Sequence, residues 1–284
     1  MASRKARIAQ NTLLLLMWAI VFYPLYQGII GSWLYDSNNS HGILVPFISL
    51  FLIWKKRTEL KLCSIIVDMR GLFLLFISLV LYIASYAGDV TVAARSMMVF
   101  SLMGLVLYNF GKYIFKKIRF PLLFMLFMIP IPVSIVGLFS LPLQRLASDI
   151  SAALIRMASI PVYQEGNMLY FAQTQLEIAE ACSGIHSMMA MLMLGTIFVY
   201  LTRMSLLGAV LMIASAIPIS MIANIARVTG TGILAHLYGA KVAKGFLHEF
   251  SGIAVFFLGL TLMWGCYLLF RNVLKHDNSF NKNS

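Results

Sequence analysis

A thiol, a guanidinium and an imidazole are the side chains that displacement at a carbonyl needs, and this chain places one of each beside apolar runs. Cys182 stands in EACSGIHSMM (180–189) at the edge of a nearly unbroken apolar stretch. Ser183 is a candidate N-cap for the helix that this stretch predicts. A helix N-terminus carries about half a positive charge, and that field favours a nucleophilic thiolate. A free cysteine is as well explained as a small apolar filler, so position alone leaves Cys182 open between the two readings. Asn224 and Arg227, in PISMIANIARVTG (218–230), are three apart and share a helical face. An arginine among apolar residues at membrane depth points to function; snorkelling to headgroups or a structural pair with Glu180 are the other readings. His248, in GFLHEFSG (245–252), stands at a predicted helix start and can take or give a proton near neutral pH. Brought together, Cys182 would be the nucleophile, His248 would carry protons, and Arg227 would hold an oxyanion or orient a partner.

The remaining candidates are weaker. His41, in NSHGILVPFISLFLIWKKR, reads either as a residue lining the entrance of such a site or as a helix-start residue beside Gly42. His186 packs beneath Cys182 at most, and His236 has no evident partner. Cys63 falls in a predicted loop and Cys266 inside a predicted helix, so both read as structural. Three cysteines without short spacing give neither a disulfide framework nor a zinc pattern. No cofactor or metal is expected.

These residues must be positioned by a membrane protein. Of 284 residues, 61% are hydrophobic and 11% charged, against about 25% charged in soluble domains. Mean hydropathy is +0.87. The net charge of +12 follows from basic loops on one side of a membrane. No Arg-rich face with interleaved aromatics is present, so nucleic acid is not an expected partner. The first apolar run is too long for a signal-peptide core and lacks a cleavage site, so it is expected to be retained as a helix.

About 20 apolar residues cross the hydrocarbon. Candidate spans are 11–31, 42–54, 71–88, 91–110, 120–141, 184–201, 204–222 and 250–270. Residues 42–54 are short, and Pro130 and Pro132 should kink or unwind 120–141. Arg227 and His248 then fall in a connection over 223–249. An N-in, C-in arrangement puts 16 of the 22 Lys and Arg on the cytoplasmic side. The fold class is an all-α polytopic membrane protein of about eight transmembrane helices. It is expected as one domain over 1–284, with a cytoplasmic N-terminus (1–10) and a disordered cytoplasmic tail (272–284). Residues 143–157, started by Pro142, read as a helix in the outer interface. Leu143, Leu146, Ile150, Leu154 and Met157 form its apolar side; Gln144, Ser148, Ser151 and Arg156 lie opposite. Residues 162–181 read as short extended strands on the outer face.

The blocks resemble the exosortase/archaeosortase family of membrane-embedded cysteine transpeptidase-like proteases. EACSGI (180–185) is similar to the block carrying the family's nucleophile, IANIARVTG (222–230) to its Asn-x-x-Arg block, and GFLHEFSG (245–252) to its His block, which carries Arg in the archaeal branch. SHGILVPFISLFLIW (40–54) resembles its N-terminal signature. The resemblance implies about eight helices and a catalytic set of Cys182, Arg227 and His248, supported by Asn224, Ser183 and Glu180. It implies substrates that are secreted proteins ending in a short motif such as Pro-Glu-Pro, a hydrophobic helix and a basic cluster. It implies the inner membrane of Gram-negative bacteria that make extracellular polysaccharide, with the site facing the periplasm and lipid as surroundings. Hydrolysis and transpeptidation stay open, as does the oligomeric state.

Two other classes fit the same chain: a transporter or flippase with Arg227 and His248 along a polar path, or a structural subunit of an export complex with an inert thiol. Few intramembrane charges and no visible inverted repeat speak against transport. No His-Glu-x-x-His motif supports a zinc protease.

Overall fold

Pro24 has no backbone N–H to give, and the first apolar run bends beside it. The computed structural model describes residues 4–172, 175–177, 185–202, 204–239 and 246–280. In it, helix α1 (Arg4–Val21) meets helix α2 (Tyr23–Tyr35) at 70°. The Leu25 N–H turns to the Phe22 carbonyl (3.0 Å), and the Val21 carbonyl accepts instead from the Tyr82 hydroxyl (3.2 Å).

Contacts divide the chain into two compact units, Met1–Pro132 and Val133–Ser284. In the first, a 3-10 turn over Ser37–Ile43 leads into α3 (Leu44–Lys55) and the short α4 (Arg57–Lys61). Helices α5 (Met69–Ala87) and α6 (Thr91–Phe124) pack backbone to backbone. A Cβ on Gly104 would lie 2.6 Å from the Leu75 nitrogen and 2.9 Å from the Gly71 carbonyl oxygen. Lipid gives no hydrophobic drive for helix association, so small residues that admit this approach supply it through van der Waals contact. Gly111 breaks α6 with φ +78°, and a side chain there would run into the Ile66 carbonyl.

Past α6 the chain tightens into a 3-10 turn over Met125–Met128 and then extends to Pro132. The expected run 120–141 is therefore no single helix; Pro130 and Pro132 interrupt it. Irregular backbone at membrane depth survives only where protein satisfies it. Here Trp33 Nε1 donates to the Met128 carbonyl (2.8 Å), and the Ile131 N–H donates to Asn39 Oδ1 (3.3 Å). Asn39 is held in turn by Asp36 (2.6 Å). His41 is buried in this same turn.

The second unit opens with α7 (Val133–Met157) and an antiparallel meander of β1 (Tyr163–Glu165), β2 (Met168–Tyr170) and β3 (Gln175–Glu177). The meander is the extended segment expected on 162–181. Its register aligns Gln164, Leu169 and Leu176 across the three strands. Helices α8 (Ile185–Thr202), α9 (Leu206–Tyr238) and α10 (Phe246–Phe280) follow. Helix α10 passes residue 272, where the sequence reading starts its tail; residues 281–284 lie outside the described ones.

Two sequence expectations are corrected here. Helix α7 starts at Val133 and runs through Pro142 instead of starting at it. Helix α9 continues unbroken through 223–238, where a connection was expected, so Arg227 is a helix residue. Gly230 and Gly232 are weak breakers, and the packing of this stretch described below outweighs their propensity.

Among the described residues, four helical stretches are long and apolar enough to cross a bilayer: α5, Thr91–Met128, α9, and Gly252–Arg271 within α10. The bent α1/α2 pair makes a fifth if it counts as one span. Helix α3 has 12 residues, about 18 Å of rise against roughly 30 Å of hydrocarbon. The chain is a predominantly helical, multi-pass membrane protein.

The glycine seam predicts an asymmetry between two substitutions. Gly104→Ala should destabilise the detergent-solubilised protein by about 1–3 kcal/mol, as overpacking does. Gly265→Ala, with nothing within 4 Å of the added Cβ, should not. Equal unfolding midpoints for the two variants would contradict the seam.

Candidate active site

Helix α9 has 33 residues and rises about 50 Å, well beyond the hydrocarbon thickness. Ser205 caps its start, accepting from the Gly208 N–H at 3.2 Å. From Leu206 to Arg227 the helix climbs roughly 32 Å, about one membrane thickness. Asn224 is buried and Arg227, one turn on, half-buried.

Layers of packing fix how α8 and α10 stand beside α9. In one layer a Cβ on Gly259 would run into the thioether of Met191 and lie 3.9 Å from Ile219 Cγ2. In the next, a Cβ on Gly195 would lie 3.7 Å from Met263 Cε and 3.8 Å from the Met212 carbonyl oxygen. In the third, Phe198 meets Trp264 and Tyr267 with ring centroids 5.8 Å and 5.0 Å apart. Residue numbers rise together on α8 and α10 and fall on α9, so α9 runs antiparallel to both.

The same layers, followed towards the start of α8, bring the candidate segments to one end. Ile185 lies about 9 Å before Met191 along α8. Asn224 and Arg227 lie about 8–12 Å beyond Ile219 along α9. The backbone of His248, in the first turn of α10, lies about 16 Å before Gly259. Three separate segments thus arrive at one end of a three-helix bundle.

The meander and α7 close around that end of α9. Val228 is fully buried with Ala152 and Ile155 of α7 and with Leu169 and Phe171 of the meander. Ser151 Oγ donates to the Ile225 carbonyl at 3.5 Å, between the turns that carry Asn224 and Arg227. Ser148 Oγ donates to the Gln144 carbonyl (2.8 Å), and Asn167 Nδ2 donates to Gln144 Oε1 (3.0 Å). Gln144, Ser148 and Ser151 are all buried, whereas Leu146, Ile150, Leu154 and Met157 are exposed. Of the polar side read from sequence, Gln144, Ser148 and Ser151 pack inward while Arg156 is exposed, and the apolar Leu146, Ile150, Leu154 and Met157 face outward. Buried small polar residues at positions 144, 148 and 151 are the mark of a helix contact within a membrane bundle. That spacing was the signal from which this supporting row could have been read.

Several predicted residues fall beyond what is described. Glu180, Cys182 and Ser183 lie outside the described residues, in the connection between β3 and α8. The side chain of His248 also lies outside them. His41 belongs to the first unit. Among the described residues, no three His, Cys, Asp or Glu side chains gather as a metal ion would need.

Compared with known families, the chain matches the family model described as transmembrane exosortase over residues 33–265. That range takes in all four sequence blocks quoted above. No curated protein and no solved structure matches the chain.

The meander should depend on Leu169, which is fully buried in β2. Leu169→Ala removes a side chain from the α7/α9 cluster, and even a cost of about 2 kcal/mol raises the open population about thirtyfold. Limited proteolysis in detergent should then cut residues 160–178 much faster, while Met157→Ala, at an 80% exposed position, leaves the rate unchanged. An unaltered rate in Leu169→Ala would mean that the meander is not held by this core.

Proposed function

The chain belongs to the transmembrane exosortase family, and from that we propose that it is a membrane cysteine protease or transpeptidase acting on the C-terminal sorting tails of secreted proteins. The observation that carries this reading is the shared end of α8, α9 and α10, where the starts of α8 and α10 and the Asn224–Arg227 turn arrive together. In this account the basic loops stay in the cytoplasm, the chain crosses the bacterial inner membrane about eight times, and the site opens to the periplasm. The hydrophobic helix of the tail lies in the bilayer against the bundle, with its basic end inside. The recognition motif then emerges at the level of Cys182.

The chemistry follows from the side chains. The Cys182 thiolate attacks the carbonyl carbon of the scissile peptide bond and forms a C–S bond. The negative charge that develops on the carbonyl oxygen takes hydrogen bonds from the Arg227 guanidinium, whose position on α9 is steadied by Asn224. Collapse of the tetrahedral intermediate breaks the C–N bond, and His248 gives its proton to the departing amine of the tail. A thioester remains on Cys182. Water releases it as an acid and an amine releases it as an amide, with His248 taking a proton from either nucleophile. Ser183 caps α8 and aims its N-terminal field at the sulfur. Glu180 borders the nucleophile.

The test is co-expression with a secreted protein bearing a motif, an apolar helix and a basic tail, read by mass spectrometry for tail loss and for a mass added at Cys182. Wild type should process the substrate, and Cys182→Ala should abolish processing. Arg227→Ala should lower the rate by about 10²–10³, the usual cost of losing one oxyanion donor. His248→Ala should let the thioester form slowly or not at all. Processing that survives Cys182→Ala would sink the nucleophile assignment.

A further inference from the structure

The first unit carries a basic concavity that the proposed chemistry does not use. It has a volume of about 330 Å³ and lies where the Gly111 break in α6 meets the start of α5. Arg70, Lys112, Lys116 and Arg119 ring it, with Leu107 and Phe115 as apolar wall. Lys112, Lys116 and Arg119 are spaced four and three apart, so one face of the helix after the break presents all three. The one acid at the rim, Asp68, is engaged as the N-cap of α5, accepting from the Arg70 N–H at 3.0 Å. The break holds the shape: a side chain on Gly111 would strike the Ile66 carbonyl, and the Asp68 N–H donates to the Tyr108 carbonyl (3.4 Å).

Basic residues crowd this end of the unit in any case, so placement must distinguish a site from a charged rim. Two neighbours are bound within the protein. Lys117 pairs with Glu59 (2.6 Å), and Lys56 Nζ donates to the Lys117 carbonyl (2.9 Å). Among the described residues, the four cations at the concavity meet no acid at ion-pair distance. Beside them the connection into α5 exposes an apolar row, with Leu62 at 88% and Ile65, Ile66, Val67 and Met69 also exposed. A cationic cup next to an apolar loop at the end of membrane helices matches a ligand with an anionic head and apolar chains.

We propose that this concavity binds the phosphodiester headgroup of an anionic phospholipid, with the acyl chains lying along the exposed row from Leu62 to Met69. The site is independent of the active-site reading above. Lys112, Lys116 and Arg119 neutralise the phosphodiester, Arg70 and the N-terminus of α5 add to the same field, and Leu107 and Phe115 exclude water behind it.

Native mass spectrometry of the full chain released from mixed phosphatidylglycerol and phosphatidylcholine nanodiscs tests this. Wild type should retain phosphatidylglycerol at least about tenfold over phosphatidylcholine, given roughly fivefold per basic residue near a lipid surface. The triple change Lys112→Gln, Lys116→Gln and Arg119→Gln should abolish the preference. Lys55→Gln, Arg57→Gln and Lys61→Gln, which removes the same charge on the same end outside the cup, should keep it. The single change Lys116→Glu gives the same reading if the triple variant does not fold. No preference in wild type, or equal loss in both triple variants, would overturn the site. Displacement of the lipid by millimolar inorganic phosphate would show an anion site without lipid specificity and would overturn the lipid assignment.

Discussion

The thioether of Met191 lies in the space that Gly259 leaves open on α10, within reach of Ile219 on α9. Met191 and the neighbouring Met212 and Met263 are all essentially inaccessible. Unbranched, polarizable side chains against glycine let three helices approach closely without rigid complementarity. This packing sets the height of α8 relative to α9 and α10. One turn of slip would displace the start of α8 by about 5 Å relative to Arg227. A nucleophile at the head of α8 and an oxyanion donor on α9 tolerate far less than that. The chemistry proposed for this chain therefore rests on an apolar layer that takes no part in it.

The second constraint is that lipid offers the backbone no hydrogen bonds. Two irregular places in the first unit answer it in the same way. At the α1/α2 bend a tyrosine hydroxyl supplies the donor that the Val21 carbonyl loses. At the break after α6 an indole and a carboxamide serve Met128 and Ile131. Trp33 and Asn39, which do this, precede the block SHGILVPFISLFLIW, Asn39 directly. The physical use of that neighbourhood is therefore visible in the first unit itself: it braces an interrupted, proline-containing segment.

Much of this was legible from residue types. Long apolar runs located α5, the first half of α6 and the first part of α9. The pair Asn224 and Arg227, three apart, lies on one helix as their spacing required. Gly166 and Asn167 turn the chain between β1 and β2, where turn residues were expected. What escaped followed from membrane physics. Amphipathic reading put the Gln144, Ser148 and Ser151 side of α7 towards water, because in water polar residues face solvent. In a membrane bundle the interior also gives small polar groups partners, so these three turn inward while the charged Arg145, Asp149 and Arg156 stay exposed. The end of α9 was placed too early because Asn224, Arg227 and the weak breakers Gly230 and Gly232 interrupt the apolar run after Ala223. The contacts of Val228 with α7 and the meander are long-range and leave no local trace.

The account's central claim is that Cys182 comes to the end of the bundle where Arg227 and His248 stand. Thiol cross-linking tests it directly, in the full chain with Cys63→Ala and Cys266→Ala so that Cys182 is the one native thiol. A short bifunctional thiol reagent should join Cys182 to Arg227→Cys and to His248→Cys. It should not join Cys182 to Leu206→Cys, about 32 Å away from residue 227 along α9. Capture at position 206 equal to that at 227 and 248, or no capture at either of the latter, would contradict the account.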